Sequence, residues 1–130
     1  MILLDTDICV ELLRGNEKII TKYKATNFNL GISIITVSEL FYGAEKSALT
    51  KKNYSLIEEF LLTVKIIDLD FAILKKFAQL KNKLREEGDL LPDADIFITA
   101  TALEKCEKLI TGNTKHFIRF RGLNIENWIR

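Results

Sequence analysis

Five short aliphatic runs, Ile2-Leu3-Leu4, Leu30 to Ile35, Val64 to Ile67, Lys108 to Thr111 and Leu123-Asn124-Ile125, are separated by stretches whose apolar residues recur at helical spacing. That alternation is the strongest constraint on the fold. Neighbouring parallel strands can be joined only by a long crossover, usually a helix, and strands buried on both faces read as continuous apolar runs rather than alternating ones. The expected fold is α/β, a three-layer α/β/α sandwich with a mainly parallel five-stranded sheet. A chain of 130 residues is most simply one domain, 1–130. That length hides roughly two-thirds of the unfolded surface and needs no disulfide or structural metal for stability.

The helical segments carry their own punctuation. A helix is predicted from about Asp7 to Arg14 with Gly15 as its stop, and a second from Glu17 to Thr26. Thr36-Val37-Ser38-Glu39 fits a capping box opening a helix that runs to about Lys46. Tyr54, Ile57, Phe60 and Leu61 mark the stripe of the next helix. Asp70 caps a long helix with Phe71, Leu74, Phe77, Ala78, the Lys81 stem and Leu84 on its apolar face, ended by Gly88. From Asp93 or Ala94 the run Ile96 to Leu103 bears no charge on any face, so it is expected inside the protein or shared with another subunit. Pro92, Gly112-Asn113 and Arg121-Gly122 read as loops or turns.

Nineteen Lys and Arg against 18 Asp and Glu give a formal charge of +1, which excludes a global attraction to nucleic acid or membrane. A polyanionic partner must then be met by a local patch. Cys9 and Cys106, with no CxxC spacing, read as small apolar residues of a reducing compartment. No apolar stretch reaches the roughly 18 to 20 residues of a membrane span, and the first apolar run begins at once, without a charged leader. A cytoplasmic protein is expected.

On a parallel sheet, the carboxyl ends of the strands face one edge, where ligands bind. Asp5 ends the first strand, Glu39 lies one turn into the helix after the second, Asp95 opens the uncharged helix, and Asn113 follows the fourth strand. Carboxylates so gathered raise one another's pKa, and a hard divalent cation such as Mg²⁺ or Mn²⁺ relieves the repulsion. Each residue has a plainer reading too. Asp5 or Asp7 is a natural helix N-cap, Glu39 a capping-box Glu, Asp93 an N-cap after Pro92, Asp95 a first-turn carboxylate, and Asn113 a turn residue. Asp93 and Asp95, about 200° apart on a helix, cannot both enter one site.

Ile2 to Cys9, Ser38-Glu39-Leu40-Phe41-Tyr42-Gly43-Ala44, Asp95 to Leu103 and Leu109-Ile110-Thr111-Gly112-Asn113-Thr114-Lys115-His116-Phe117 together resemble the successive motifs of PIN domains. With the closing Gly122 to Trp128, the order and spacing are most similar to the VapC toxins of prokaryotic toxin-antitoxin modules. The resemblance covers essentially the whole chain, and implies a single PIN-like nuclease domain. It implies that Asp5, Glu39 and Asp95 are the metal-binding acids and that Thr6 and Thr111 lie beside them. The family's fourth acidic position falls on Asn113, which brings an amide oxygen but no charge. The implied activity is a Mg²⁺- or Mn²⁺-dependent endoribonuclease, and the implied partners are RNA, a VapB-like antitoxin, laid against Leu40 to Tyr42, and a second copy of the chain.

The chemistry expected of such a site is phosphodiester hydrolysis, with the cation lowering the pKa of bound water and stabilising charge on the leaving oxygen. Lys115, Arg119 and Arg121, near the Asn113 turn, are the candidate phosphate contacts, with solvated surface charge as the alternative. His116 stands alone and reads as a surface histidine. Two phosphoryl-transfer folds compete. Asp5-Thr6-Asp7 also resembles the start of a haloacid-dehalogenase-type phosphatase, but Cys9 stands where Thr or Val is expected. A receiver domain would need an Asp at the end of its third strand, a place Asp68 could fill, and a Lys after the fifth, where nothing basic stands. A non-catalytic protein-binding module with acidic helix caps is the third alternative.

Overall fold

The computed structural model describes residues 1–26 and 29–130. Five strands, β1 (Ile2–Leu4), β2 (Leu30–Ser33), β3 (Lys65–Ile67), β4 (Lys108–Ile110) and β5 (Ile125–Glu126), pair wholly in parallel in the order β3-β2-β1-β4-β5. All five expected strands are present: β1 spans its expected residues, β2, β3 and β4 are one or two residues shorter, and β5 is shifted to Ile125–Glu126. The chain grows outward from β1 to β3, then returns to the other side of β1 to lay down β4. The reversal between β1 and β4 opens a crevice at their carboxyl ends, the place where open α/β sheets bind ligands.

Helices α1 (Thr6–Leu13), α2 (Glu17–Ala25), α3 (Ile34–Glu45) and α4 (Thr50–Leu61) bury Ile8, Ile19, Val37, Leu40 and Ile57 with Ile2, Leu4 and Ile110 of the sheet. On the other face, α5 (Phe71–Glu86) and α6 (Asp93–Lys105) pack Ile73, Leu84, Ile96 and Ile98 against Leu3 and Leu109. Adjacent residues of β1 and β4 thus feed opposite cores, as the period of two requires. Burying each such Leu or Ile contributes roughly 1.5–3 kcal/mol. A one-turn helix, α7 (Thr114–Phe117), follows β4 where only a turn was expected.

Local departures from the sequence reading have identifiable causes. Ser33, not Thr36, caps α3, its hydroxyl accepting Ile35 N–H at 3.0 Å. Ile34 and Ile35, β-branched and read as strand, are therefore helical, and Glu39 lies too deep in α3 to serve as a capping-box residue. Pro92, not Asp93, occupies the N-cap position of α6, and Asp93 instead pairs with Lys81 at 2.9 Å. On α5 the Asp70 cap forms as expected, at 2.9 Å from Ile73 N, and Gly88 follows the helix with φ 67°. Its buried line, however, is Ile73, Phe77, Leu80 and Leu84, while Phe71 stands 81% exposed. Two interleaved apolar stripes satisfy the helical period there, and packing against α6, with Phe77 stacked on Phe97, selects one. The uncharged run of α6, Ile96 to Leu103, is covered by this chain itself, with Ile96, Ile98, Thr99, Ala100, Thr101 and Ala102 buried. Cys9 and Cys106 are free thiols. No helix among the described residues is long and apolar enough to cross a membrane.

Candidate active site

Because β1 ends at Leu4, Asp5 is delivered to the crevice floor as the N-cap of α1, so its capping and functional readings coincide. Its Oδ1 accepts Thr6 N–H at 2.8 Å, and its Oδ2 accepts the Thr111 hydroxyl at 2.7 Å. Thr111, next after β4, in turn receives Asn113 N–H at 2.9 Å. These bonds tie the ends of the two central strands together. Asp5 is only 6% exposed, and burial, then the neighbouring Asp7 charge, push its pKa up to about 7 against the two hydrogen bonds, with Asp95 adding a smaller push. A carboxylate this poorly solvated is held ionised only at a cost, which a cation would offset.

Asp7, passed over in the sequence as a cap, is part of the same cluster. Its Oδ2 accepts Gly112 N–H at 2.9 Å, while Oδ1 is buried with no hydrogen-bond partner. Burial raises the Asp7 pKa as well, with Asp95 contributing. The close approach explains the glycine, since a Cβ at position 112 would collide with the Ile129 side chain and lie 2.9 Å from Asp7 Oδ2. Cys9, beneath these acids and fully buried, has its thiol pKa raised by burial and by both charges, so it is inert.

Glu39 enters from the second turn of α3. Its Oε1 accepts the Thr6 hydroxyl at 2.6 Å, and that hydroxyl lies 3.0 Å from Thr36 Oγ1. Thr6 has one hydroxyl proton, which goes to the carboxylate, so Thr36 supplies the proton of the second contact. Asp95, in the first turn of α6, meets His116 Nδ1 at 2.8 Å through Oδ2, and the same nitrogen lies 2.9 Å from Asn113 Nδ2. His116 is therefore a member of the site and not an unattached surface residue. The missed signal is the spacing of Asn113 and His116, three apart and facing each other once α7 forms.

The structure thus gathers Asp5, Asp7 and Asp95 electrostatically, links Glu39 through Thr6, and brings Thr111, Asn113 and His116 to the same rim. Each acid is held by its own hydrogen bonds. Among the described residues, no three His, Cys, Asp or Glu side chains already stand as a closed cation cage. The donor set is nevertheless all oxygen, anionic and under-solvated, with one orphaned carboxylate oxygen, and this suits a hard divalent cation. Of the expected phosphate contacts, Lys115 and Arg121 are exposed. Arg119 is engaged within the chain, its guanidinium on the Asp89 carboxylate and on Lys115 O at 3.3 Å. Asp68 follows the edge strand β3, two strands from β1, so the receiver-domain arrangement is absent.

A groove of about 680 Å³ leaves the site from Thr6 and Glu39 and runs between α1, α3 and α4 past Val10, Leu13 and Tyr42, with Arg14 and Lys46 on its walls. Leu40 is buried and Phe41 stacks on Tyr54, whereas Tyr42 is 66% exposed.

The PIN domain family model matches residues 2–123. Ribonuclease VapC2 of Haemophilus influenzae is 33% identical over 128 residues, spanning 98% of this chain and 97% of that protein. The tRNA(fMet)-specific endonuclease VapC of Shigella flexneri is 30% identical over 127 residues, spanning 97% and 96%. The crystal structure of VapBC2 from Rickettsia felis bound to a DNA fragment from their promoter has a TM-score of 0.91 at 31% identity, covering 98% of this chain and 99% of that one. That of DNA-bound VapBC from Salmonella typhimurium also gives 0.91, at 29% identity, covering 98% and 97%. The chain belongs to the PIN domain family, on its VapC branch.

Proposed function

We propose that this chain is a Mg²⁺- or Mn²⁺-dependent endoribonuclease, one nuclease domain over its whole length, acting as the toxin of a toxin-antitoxin pair. The observation that carries the reading is the under-solvated acid cluster of Asp5, Asp7 and Asp95, with Glu39 linked to it through Thr6, at the switch point of the sheet. Relatives named as VapC ribonucleases over nearly the full length support it.

Asp5, Glu39 and Asp95 would hold the cation, with Asn113 offering an amide oxygen at the rim. The bound ion would activate water and stabilise charge on the departing oxygen. Thr111 and Thr6 hold Asp5 and Glu39 in place by donating to them, and the Asp7 bond to Gly112 fixes the loop that carries Asn113. Lys115 and Arg121 would contact RNA phosphates beside the site, contributing affinity without sequence preference.

One solved neighbour is a toxin-antitoxin complex from Klebsiella pneumoniae and others carry the paired name VapBC, which supports a VapB-like partner here. The groove from Glu39 to Tyr42 would take an amphipathic antitoxin segment, and a basic antitoxin side chain would compete with the cation among the acids. A homodimer is part of the proposal, with Leu62, Phe71 and Ile118, at least 76% exposed, as apolar surface a second copy could cover. The test is incubation of purified protein with RNA and Mg²⁺. Endonucleolytic products that disappear with EDTA and with Asp5→Asn are expected, and initiator tRNA is the first structured substrate to try, given the named target of one relative. Cleavage that persists in EDTA would overturn the mechanism.

A further inference from the structure

His116 Nδ1 faces two groups whose demands conflict. It lies 2.8 Å from Asp95 Oδ2 and 2.9 Å from Asn113 Nδ2. A ring nitrogen carries either a proton or a lone pair. The Asp95 carboxylate only accepts and so requires the proton, whereas the Asn113 amino group only donates and so requires the lone pair. The charged acceptor prevails, since bonds to an ionised group are about twice as strong as neutral ones. Asn113 then cannot keep its NH₂ against an N–H. Its amide oxygen and nitrogen are interchangeable by a half-turn, and the turn places Oδ1 where it accepts from the same Nδ1–H.

We infer that His116 is a positioning residue of the cation site: its Nδ1–H is shared between Asp95 Oδ2 and Asn113 Oδ1, and presents both as oxygen donors to the site. The inference rests on the metal-dependent reading above and deepens it. Asp95 keeps Oδ1 free of side-chain hydrogen bonds among the described residues, and Asn113 turns its oxygen, not its amino group, toward the Nδ1–H that Asp95 also accepts. An amide replaces a carboxylate usefully only if its oxygen faces inward, and a fixed N–H donor is what selects that orientation. His116 Nε2 is left as the unprotonated nitrogen of the neutral ring.

The chain has one histidine, so its imidazole signals are unambiguous. Long-range ¹H–¹⁵N spectra of the metal-free protein, with the ring neutral, are expected to show Nδ1 protonated and Nε2 bare. The opposite tautomer would overturn the inference whatever the protein does to RNA. Mn²⁺ titration supplies the second arm. His116→Ala is expected to lose roughly 10- to 100-fold in affinity, as outer-shell partners of metal ligands typically do. His116→Asn, whose amide nitrogen falls near the place of Nδ1, restores most of it, and His116→Gln, which reaches toward the Nε2 position, does not. The side chain is 38% exposed, so these variants fold, and unchanged thermal melts verify it. Wild-type affinity in His116→Ala, or equal rescue by Asn and Gln, would overturn the role. Failure of the wild type itself to bind Mn²⁺ would refute the metal reading instead, leaving the tautomer result to stand separately.

Discussion

Replacing Asp5 by Asn should make the metal-free protein more stable at pH 8 and slightly less stable at pH 4. The Asp5 pKa rises from 3.8 to about 7 in the fold, chiefly through burial and the Asp7 charge. Between those two values the native state holds a proton that the unfolded chain has lost, so stability falls as pH rises, and the loss is complete just above 7. At 1.36 kcal/mol per unit the charge costs about 4 kcal/mol, and a group only 6% exposed allows little discount for solvent. Asn removes that charge. It keeps the Thr6 N–H bond through its oxygen, but its NH₂ now donates to Thr111 Oγ1, whose own proton is left without an acceptor, a loss of about 1 kcal/mol. The net gain is about 3 kcal/mol at pH 8, reversing to a deficit of about 0.5 kcal/mol at pH 4. Guanidinium unfolding of both proteins across this range, with EDTA present, measures the difference directly. A difference independent of pH, or an Asn variant weaker at pH 8, would refute the claim that Asp5 is a strained charge.

Because binding a cation displaces the Asp5 proton, Mn²⁺ affinity should climb up to tenfold per unit from pH 5.5 to about 7 and level off above it, read by calorimetry in buffers of different ionisation heat. Gly112→Ala should force Ile129 aside and break the Asp7 clamp, lowering cleavage at least tenfold and stability by about 1–3 kcal/mol, as an overpacked contact does. Thermal melts and single-turnover kinetics separate the two losses. Tyr42→Glu, on an exposed residue at the groove, should weaken antitoxin capture at least tenfold while leaving RNA cleavage within twofold. Loss of both together would place Tyr42 in the RNA path instead.

The parallel sheet was legible because strands buried on both faces are written as plain apolar runs, and their order along the chain fixed which ends meet. Asp5 and Asp95 were legible for the same reason, each lying where a buried element begins or ends. Residues acting through a single hydrogen bond left weaker marks. Asp7 reads as an ordinary helix cap until Gly112 is known to approach it, and His116 reads as solitary until α7 turns it toward Asp95. Glu39 carries a competing capping-box reading only because a β-branched pair, Ile34-Ile35, disguises the start of α3, which Ser33 caps. On α5, two apolar stripes of equal period gave no local reason to prefer Ile73 over Phe71, and only packing on α6 decides it.

The proposed cation site draws its acids from the N-cap of α1, from α3 and from α6. Calorimetric titration of Mn²⁺ into metal-free protein at pH 8, for the wild type, Glu39→Gln and Asp95→Asn, tests it most directly. Saturable binding is expected in the wild type, weakened at least tenfold in each variant, since each removes a charged oxygen ligand. Equal binding by all three proteins, or none by the wild type, would contradict it.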